Sequence, residues 1–187
     1  MRSIIPFFMT IIAASAPALA LETVAVSGFN SVQLRGGGEV LVKRGPVQRV
    51  TILEGSSQFT HMRVVHDGQL RIDVCDNRCP QRYRLRVEIE SPDMPDVAIS
   101  GGGLIRALSG FAPQRELSAA IDGGGAIDVR TVQASDVSAA VNGGGQISVN
   151  PRDSLSAAVN GGGEVRYAGN PNVSMAVHGG GLVRPLR

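Results

Sequence analysis

Lysine is nearly missing from this chain: Lys43 stands alone among eighteen basic residues, and the others are arginine. Neither sign of charge is in excess, since sixteen acidic residues leave a formal net charge of only +2. A surface that neutralises a run of phosphates needs concentrated positive charge, so no nucleic-acid partner is expected. No apolar run reaches the roughly 20 residues that carry a helix across a bilayer, so no transmembrane segment is expected in the mature chain. Cysteine is scarce as well, with Cys75 and Cys79 the only two.

Catalytic signatures are also missing. No glycine run is followed by Lys-Ser or Lys-Thr at phosphate-loop spacing. No Ser, His and acid constellation stands out, and no paired carboxylates recur on one side of a repeat. Nine-residue calcium repeats require Asp at a fixed offset after their glycines, and only Asp128 is suggestive. The chain is therefore expected to hold no cofactor and no metal, and not to be an enzyme. The alternative is a polysaccharide-acting β-helix enzyme, which release of product from envelope glycans would reveal.

The N-terminus reads "MRSIIPFFMTIIAASAPALA". One positive residue, Arg2, precedes an apolar run from Ile4 to Ile12 and an ending Ala18-Leu19-Ala20. That is the pattern of a secretory signal peptide cleaved after Ala20; the competing reading is an uncleaved anchor. The mature chain is expected to begin at Leu21 and to be periplasmic or secreted. In such an oxidising compartment Cys75 and Cys79, with "DNR" between them, are most simply a disulfide across a loop. A zinc site using His61 and His66, or a reactive dithiol, are the other readings.

What the chain has in quantity is glycine. Triplets begin at Gly36, Gly101, Gly123, Gly143, Gly161 and Gly179, and the last five lie 22, 20, 18 and 18 residues apart. Such a period marks a solenoid. Aligned on their glycines, the units give columns: Leu117, Val137, Leu155, Val173; then Ala119, Ala139, Ala157, Met175; then Ile121, Val141, Val159, Val177. Spacing by two puts these on one face of a strand. Beyond the glycines Ile127, Ile147, Val165 and Val183 open a second strand. Each unit therefore reads as strand, sharp glycine corner, strand, loop: one coil of a right-handed parallel β-helix. A series of hairpins turning at the glycines is the runner-up.

The triplets act as structural corners, since glycine reaches positive φ freely and lets backbones stack about 4.8 Å apart. Three of them cost roughly 2 to 3 kcal/mol against alanine, which burial of Leu155, Val159 and Val165 at about 1.5 to 3 kcal/mol each offsets. Backbone ordering still outweighs that gain, so single coils are not expected to fold and stacks are. On the outward face Ser118, Ser138, Ser156 and Ser174 alternate with Ala120, Ala140, Ala158 and Ala176, a nearly reliefless surface suited to cover or to docking. Ser100, Asp122, Asn142, Asn160 and His178 precede the corners. They are expected to bond local backbone and tolerate a left-handed conformation, or else to touch a saccharide or ion. The closing "LVRPLR" offers a proline and two arginines against edge pairing.

The chain divides into residues 1–20, signal peptide; 21–92, an N-terminal β-strand or cap region; and 93–187, the β-helical repeat, the last two forming one continuous domain. About six strands are expected between Thr23 and Glu90, with a two-residue hairpin turn at Asp67-Gly68 and a stripe of Arg82, Arg84 and Arg86 on one strand face.

The order of features, from "VSGFNSVQLRGGGEVLVKRG" through "VVHDGQLRI" to "VAISGGGLI", "AAIDGGGAI", "AAVNGGGQI", "AAVNGGGEV" and "MAVHGGGLV", resembles the bacterial GIN-domain family of auto-transporter adhesin head domains over roughly Val26 to Val183. The resemblance implies a β-helical protein of the cell envelope, a binding or structural module whose partner is an envelope protein, a glycan or a second copy. It also implies corners that more often read Gly-Ser-Gly, where this chain has Gly-Gly-Gly.

Overall fold

The computed structural model describes residues 21–65, 67–75 and 79–186. The expected signal peptide, and His66 as a zinc ligand, lie outside the described residues. Within them all regular structure is β: fifteen strands join in one sheet, and there is no helix.

The glycine units build two parallel ladders. Before the corners stand β2 (Ser31–Gly36), β8 (Asp96–Gly101), β10 (Gln114–Gly123), the second halves of β11 (Ala126–Gly143) and β12 (Gln146–Gly161), and β14 (Asn172–His178), each pairing parallel with the next. After the corners stand β3 (Glu39–Arg44), β9 (Leu104–Ala107), the first halves of β11 and β12, β13 (Glu164–Tyr167) and β15 (Leu182–Pro185), again parallel. Register partners are like residues: Leu117 with Val137, Leu155 and Val173; Ile127 with Ile147, Val165 and Val183. Parallel pairing in register removes the hairpin reading of the repeat.

Two strands carry the ladders one layer further. β6 (Gln69–Val74) lies parallel to β2, and β7 (Arg86–Ser91) parallel to β3. There parallel pairing stops, so the expected parallel β-helix does not describe the whole sheet, and the less regular N-terminal part makes it mixed: β5 (Thr60–Val64) runs antiparallel to β6, β4 (Arg49–Glu54) antiparallel to β7, and β1 (Glu22–Val24) antiparallel to β4. Of these pairs only β5 and β6 are joined by a short connection, which antiparallel neighbours permit and parallel ones do not.

Two local expectations also change. β5 and β6 do form a hairpin, but Val65 N–H bonds Gln69 O, and Gly68 at φ +75° donates to Val65 O, so the turn is longer than two residues. β7 begins only at Arg86, so Arg82 and Arg84 precede the strand and no arginine stripe exists.

One hydrophobic cluster runs the length of the stack, from Leu70 and Ile72 through Leu34, Ile99, Ile121 and Val141 to Val159. At each corner the ladder passes through the glycines. Gly144 N–H donates to Gly123 O at 3.0 Å and Gln146 N–H to Gly125 O at 3.0 Å, and the coils above and below repeat this. The corner at Gly36 is the lowest of the series: Gly36 is the register partner of Gly101.

Candidate binding surface

The outward side chains of the two ladders differ in chemistry. Ahead of the corners, Ser118, Ser138, Ser156 and Ser174 are register partners, as are Ala98, Ala120, Ala140, Ala158 and Ala176. The four serines are exposed, and their hydroxyls are free of protein partners among the described residues. Strand spacing sets them about 4.8 Å apart. The third column, Ser100, Asp122, Asn142, Asn160 and His178, follows the same register. The structure thus brings the serine column and the corner column onto one strand face.

The corner column is held differently from expectation. Asn142 Nδ2 donates to Asp122 Oδ1 at 3.1 Å, and Asn160 Nδ2 to Asn142 Oδ1 at 3.3 Å, so the amides bond from coil to coil rather than to local backbone. None of them is left-handed; the positive φ falls on the following glycine, as at Gly143 (φ +121°). Between this column and the alanines lies a groove of about 480 Å³ across four coils, floored by Ala98, Ala120, Ala140 and Ala158 and ended by Gln33. Gln33 Nε2 donates to Ser100 Oγ at 3.2 Å.

Below the groove the column ends in charge. Asp73, 6 % exposed, accepts from Arg35 of β2 at 3.0 Å and meets Arg63 of β5 at 3.1 Å. A buried carboxylate held between two arginines ties the hairpin to the first coil, and removing both arginines would leave its charge uncompensated.

A feature absent from the sequence expectations lies at the other edge of the serine column. Glu116 and Asp136 are register partners on adjacent coils, and Ser154 Oγ donates to Asp136 Oδ1 at 2.6 Å. They line a second hollow of about 360 Å³ beside Ser118, Ser138 and Ser156. The pair escapes a search for recurring acids because the next coils place Ser154 and Asn172 at that position.

The ladder after the corners carries charge instead. Lys43 meets Glu88 at 2.8 Å and Glu90 at 2.9 Å, Arg86 meets Glu39 at 3.2 Å, and Arg130 grips Asp128 with two nitrogens at 2.8 and 2.7 Å. Glu164 is bonded by both Arg166 and Arg184. Hydrogen bonds from Lys43, Arg130 and Arg166 hold the carboxyls of Glu90, Asp128 and Glu164 respectively below the ordinary range, while Glu88 and Glu90 raise the Lys43 ammonium. Asp128 is thus engaged by arginine. The signal was present in the sequence: Arg106, Asp128, Arg166 and Arg184 all fall at one offset from their glycines.

Cys75 and Cys79 are joined in a disulfide, as the shorter reading of their spacing anticipates. Among the described residues no group of three or more His, Cys, Asp or Glu is placed to hold a metal ion, and no helix is long and apolar enough to cross a membrane.

Glycine-cornered strands in register, with one outward face of mostly small side chains and one charged, define a β-repeat protein. The chain belongs to the family described as putative auto-transporter adhesin, head GIN domain, whose model matches twice, over residues 28–112 and 96–171. Similar solved structures include a putative adhesin from Bacteroides fragilis NCTC 9343 (18% identity, 89% of this chain and 96% of that chain, TM-score 0.44). Others are a putative lipid binding protein from Parabacteroides distasonis ATCC 8503 (15%, 90% and 96%, TM-score 0.38) and a putative cell adhesion protein from Clostridium sporogenes ATCC 15579 (11%, 89% and 98%, TM-score 0.40). Among curated proteins no sequence match is found.

Proposed function

We propose that the protein is a non-enzymatic binding module of the cell envelope, adhesin-head-like, exported by the N-terminal segment 1–20 and working in the periplasm or outside the cell. Its contact surface is the serine and alanine face with the groove beside Asp122, Asn142 and Asn160, and its partner is an envelope protein or glycan with a flat, extended surface. The coils wind right-handed, the sense that parallel crossovers take in nearly all cases. One observation carries the reading: side chains of the same kind stand in register on this face through at least four coils. Core packing does not demand that of exposed positions. Free hydroxyls and a shallow groove suit many weak polar contacts with water between them.

Replacing Ser138 and Ser156 together with arginine tests it. Both side chains are exposed, so the thermal midpoint is expected to stay within about 2 to 4 °C of wild type, the shift of a surface change in a domain this size. Retention of the protein on isolated cell envelopes is expected to fall at least tenfold. Unchanged retention with an intact fold would exclude this face. Treating the envelopes with protease or with glycosidases before the assay separates the two partner classes.

A second reading rests on Glu116 and Asp136. They stand on neighbouring strands and line one hollow, and glycosidases use a pair of carboxyls flanking one glycosidic bond. Incubation with envelope and capsular glycans, wild type beside Glu116→Gln, decides it: a product lost in the variant would establish hydrolysis, and no product from any glycan would end that reading.

A further inference from the structure

Four strands among those described pair on one side only: β1, β5, β14 and β15. An open strand edge templates association unless it is short, charged, interrupted by proline or covered. β1 has three residues, β5 carries Arg63, and β15 carries Arg184 and Pro185. The terminal proline and the nearer arginine expected to block edge pairing therefore protect β15 alone. β14 has seven residues, Asn-Val-Ser-Met-Ala-Val-His, with no acidic residue, arginine, lysine or proline.

The layer beneath β14 is closed, and β14 itself is not. Leu155, Ala157 and Val159 are at most 3 % exposed, whereas Met175 and Val177, in register above Ala157 and Val159, are 62 % and 38 % exposed. The inward column reads Ala119, Ala139, Ala157 and then Met175. The long side chain stands where, among the described residues, no further strand pairs, and its exposure shows that it does not fold down as a lid.

We propose that two copies of the protein join through their last coils, β14 of one pairing antiparallel with β14 of the other about a two-fold axis at Met175. About that residue each side chain meets one of similar size or polarity: Val173 faces Val177 of the second copy, Ser174 faces Ala176, and Asn172 faces His178. A two-fold contact sets one patch against itself, and here that opposes no two charges and no apolar residue to a polar one among Val173, Met175 and Val177. The pairing satisfies both open edges, places each Met175 over the other, and sets the serine column of one copy against the alanine column of the next, so the outward face keeps its small side chains. The other open edges are the three-residue β1, β5 with Arg63, and β15 with Arg184 and Pro185, so joining stops at two.

Sedimentation equilibrium of the purified protein at micromolar to high micromolar concentration is expected to show a dimer. Met175→Arg, which places two like charges against each other at the axis, is expected to weaken it at least about 100-fold, the scale of a buried like-charge clash, with an unchanged far-UV circular dichroism spectrum. Val47→Arg, at an exposed apolar position away from β14, is expected to leave the dimer intact. Met175→Cys is expected to give a covalent dimer on a non-reducing gel. A wild-type monomer throughout the range, a dimer indifferent to Met175→Arg, or species that keep growing with concentration would each overturn the proposal; the first includes the case in which a different protein covers this end.

Discussion

The three glycines of a corner do unequal work. At Gly143 the backbone has φ +121°, and a Cβ would lie 2.5 Å from Gly123 O. At Gly145 a Cβ would meet Ile121 Cγ2 at 2.6 Å and Gly125 O at 2.8 Å. Gly144 between them faces open space within 4 Å. Gly143→Ala and Gly145→Ala are therefore expected to destabilise by about 2 to 4 kcal/mol, the range of combined strain and overpacking. Gly144→Ala or Gly144→Ser is expected to be neutral or to stabilise by up to about 1 kcal/mol, by restricting the unfolded chain. Urea denaturation of the variants checks the contrast. The Gly-Ser-Gly corners implied by the family resemblance fit this: the middle side chain points outward.

At the scale of the strands, the charged ladder predicts a pH dependence. Glu164 is held below the ordinary carboxylate range, first by the hydrogen bond from Arg166 and then by Arg184. A carboxyl whose pKa is lower in the folded state contributes stability above its unfolded pKa and loses it as pH falls through the folded value. Glu164→Gln is expected to reduce stability by at most about 1 kcal/mol at neutral pH, as befits solvent-screened pairs. The difference from wild type is expected to vanish in acid below the ordinary carboxylate range. Lys43 has the opposite sign: its raised pKa makes its contribution complete below the ordinary lysine range and lost as pH rises through the folded value. Lys43→Met is thus expected to differ from wild type at neutral pH and to converge with it in strong alkali. Thermal midpoints across pH measure both.

At the scale of the molecule, nearest-neighbour stacking makes a coil removable as a unit. Deleting residues 144–161 joins Gly143 to Gly162 and takes out one full period. The shortened protein is expected to fold cooperatively with the same circular dichroism shape and a lower midpoint. Deleting only 144–152 breaks the register of every coil above and is expected to expose the core to dye binding. Reduction of Cys75–Cys79 is expected to cost only about 2 kcal/mol, since the ring it closes is short.

The repeat was legible because glycine spacing and two-residue alternation are local properties that recur in one phase. From them alone came the all-β class, the in-register columns, the identity of the inward residues and the corner function of Gly36, Gly101, Gly123, Gly143, Gly161 and Gly179. What remained open was whatever depends on the next layer. That the Asn142 and Asn160 amides bond other side chains rather than backbone, that Glu116 stands over Asp136, and that Asp73 sits between Arg35 and Arg63 follow from pairings between strands up to dozens of residues apart. The antiparallel closure at one end and the uncovered β14 at the other are likewise invisible to a periodic pattern. A repeat specifies how each coil meets its neighbour, and only the folded stack shows where the neighbours run out.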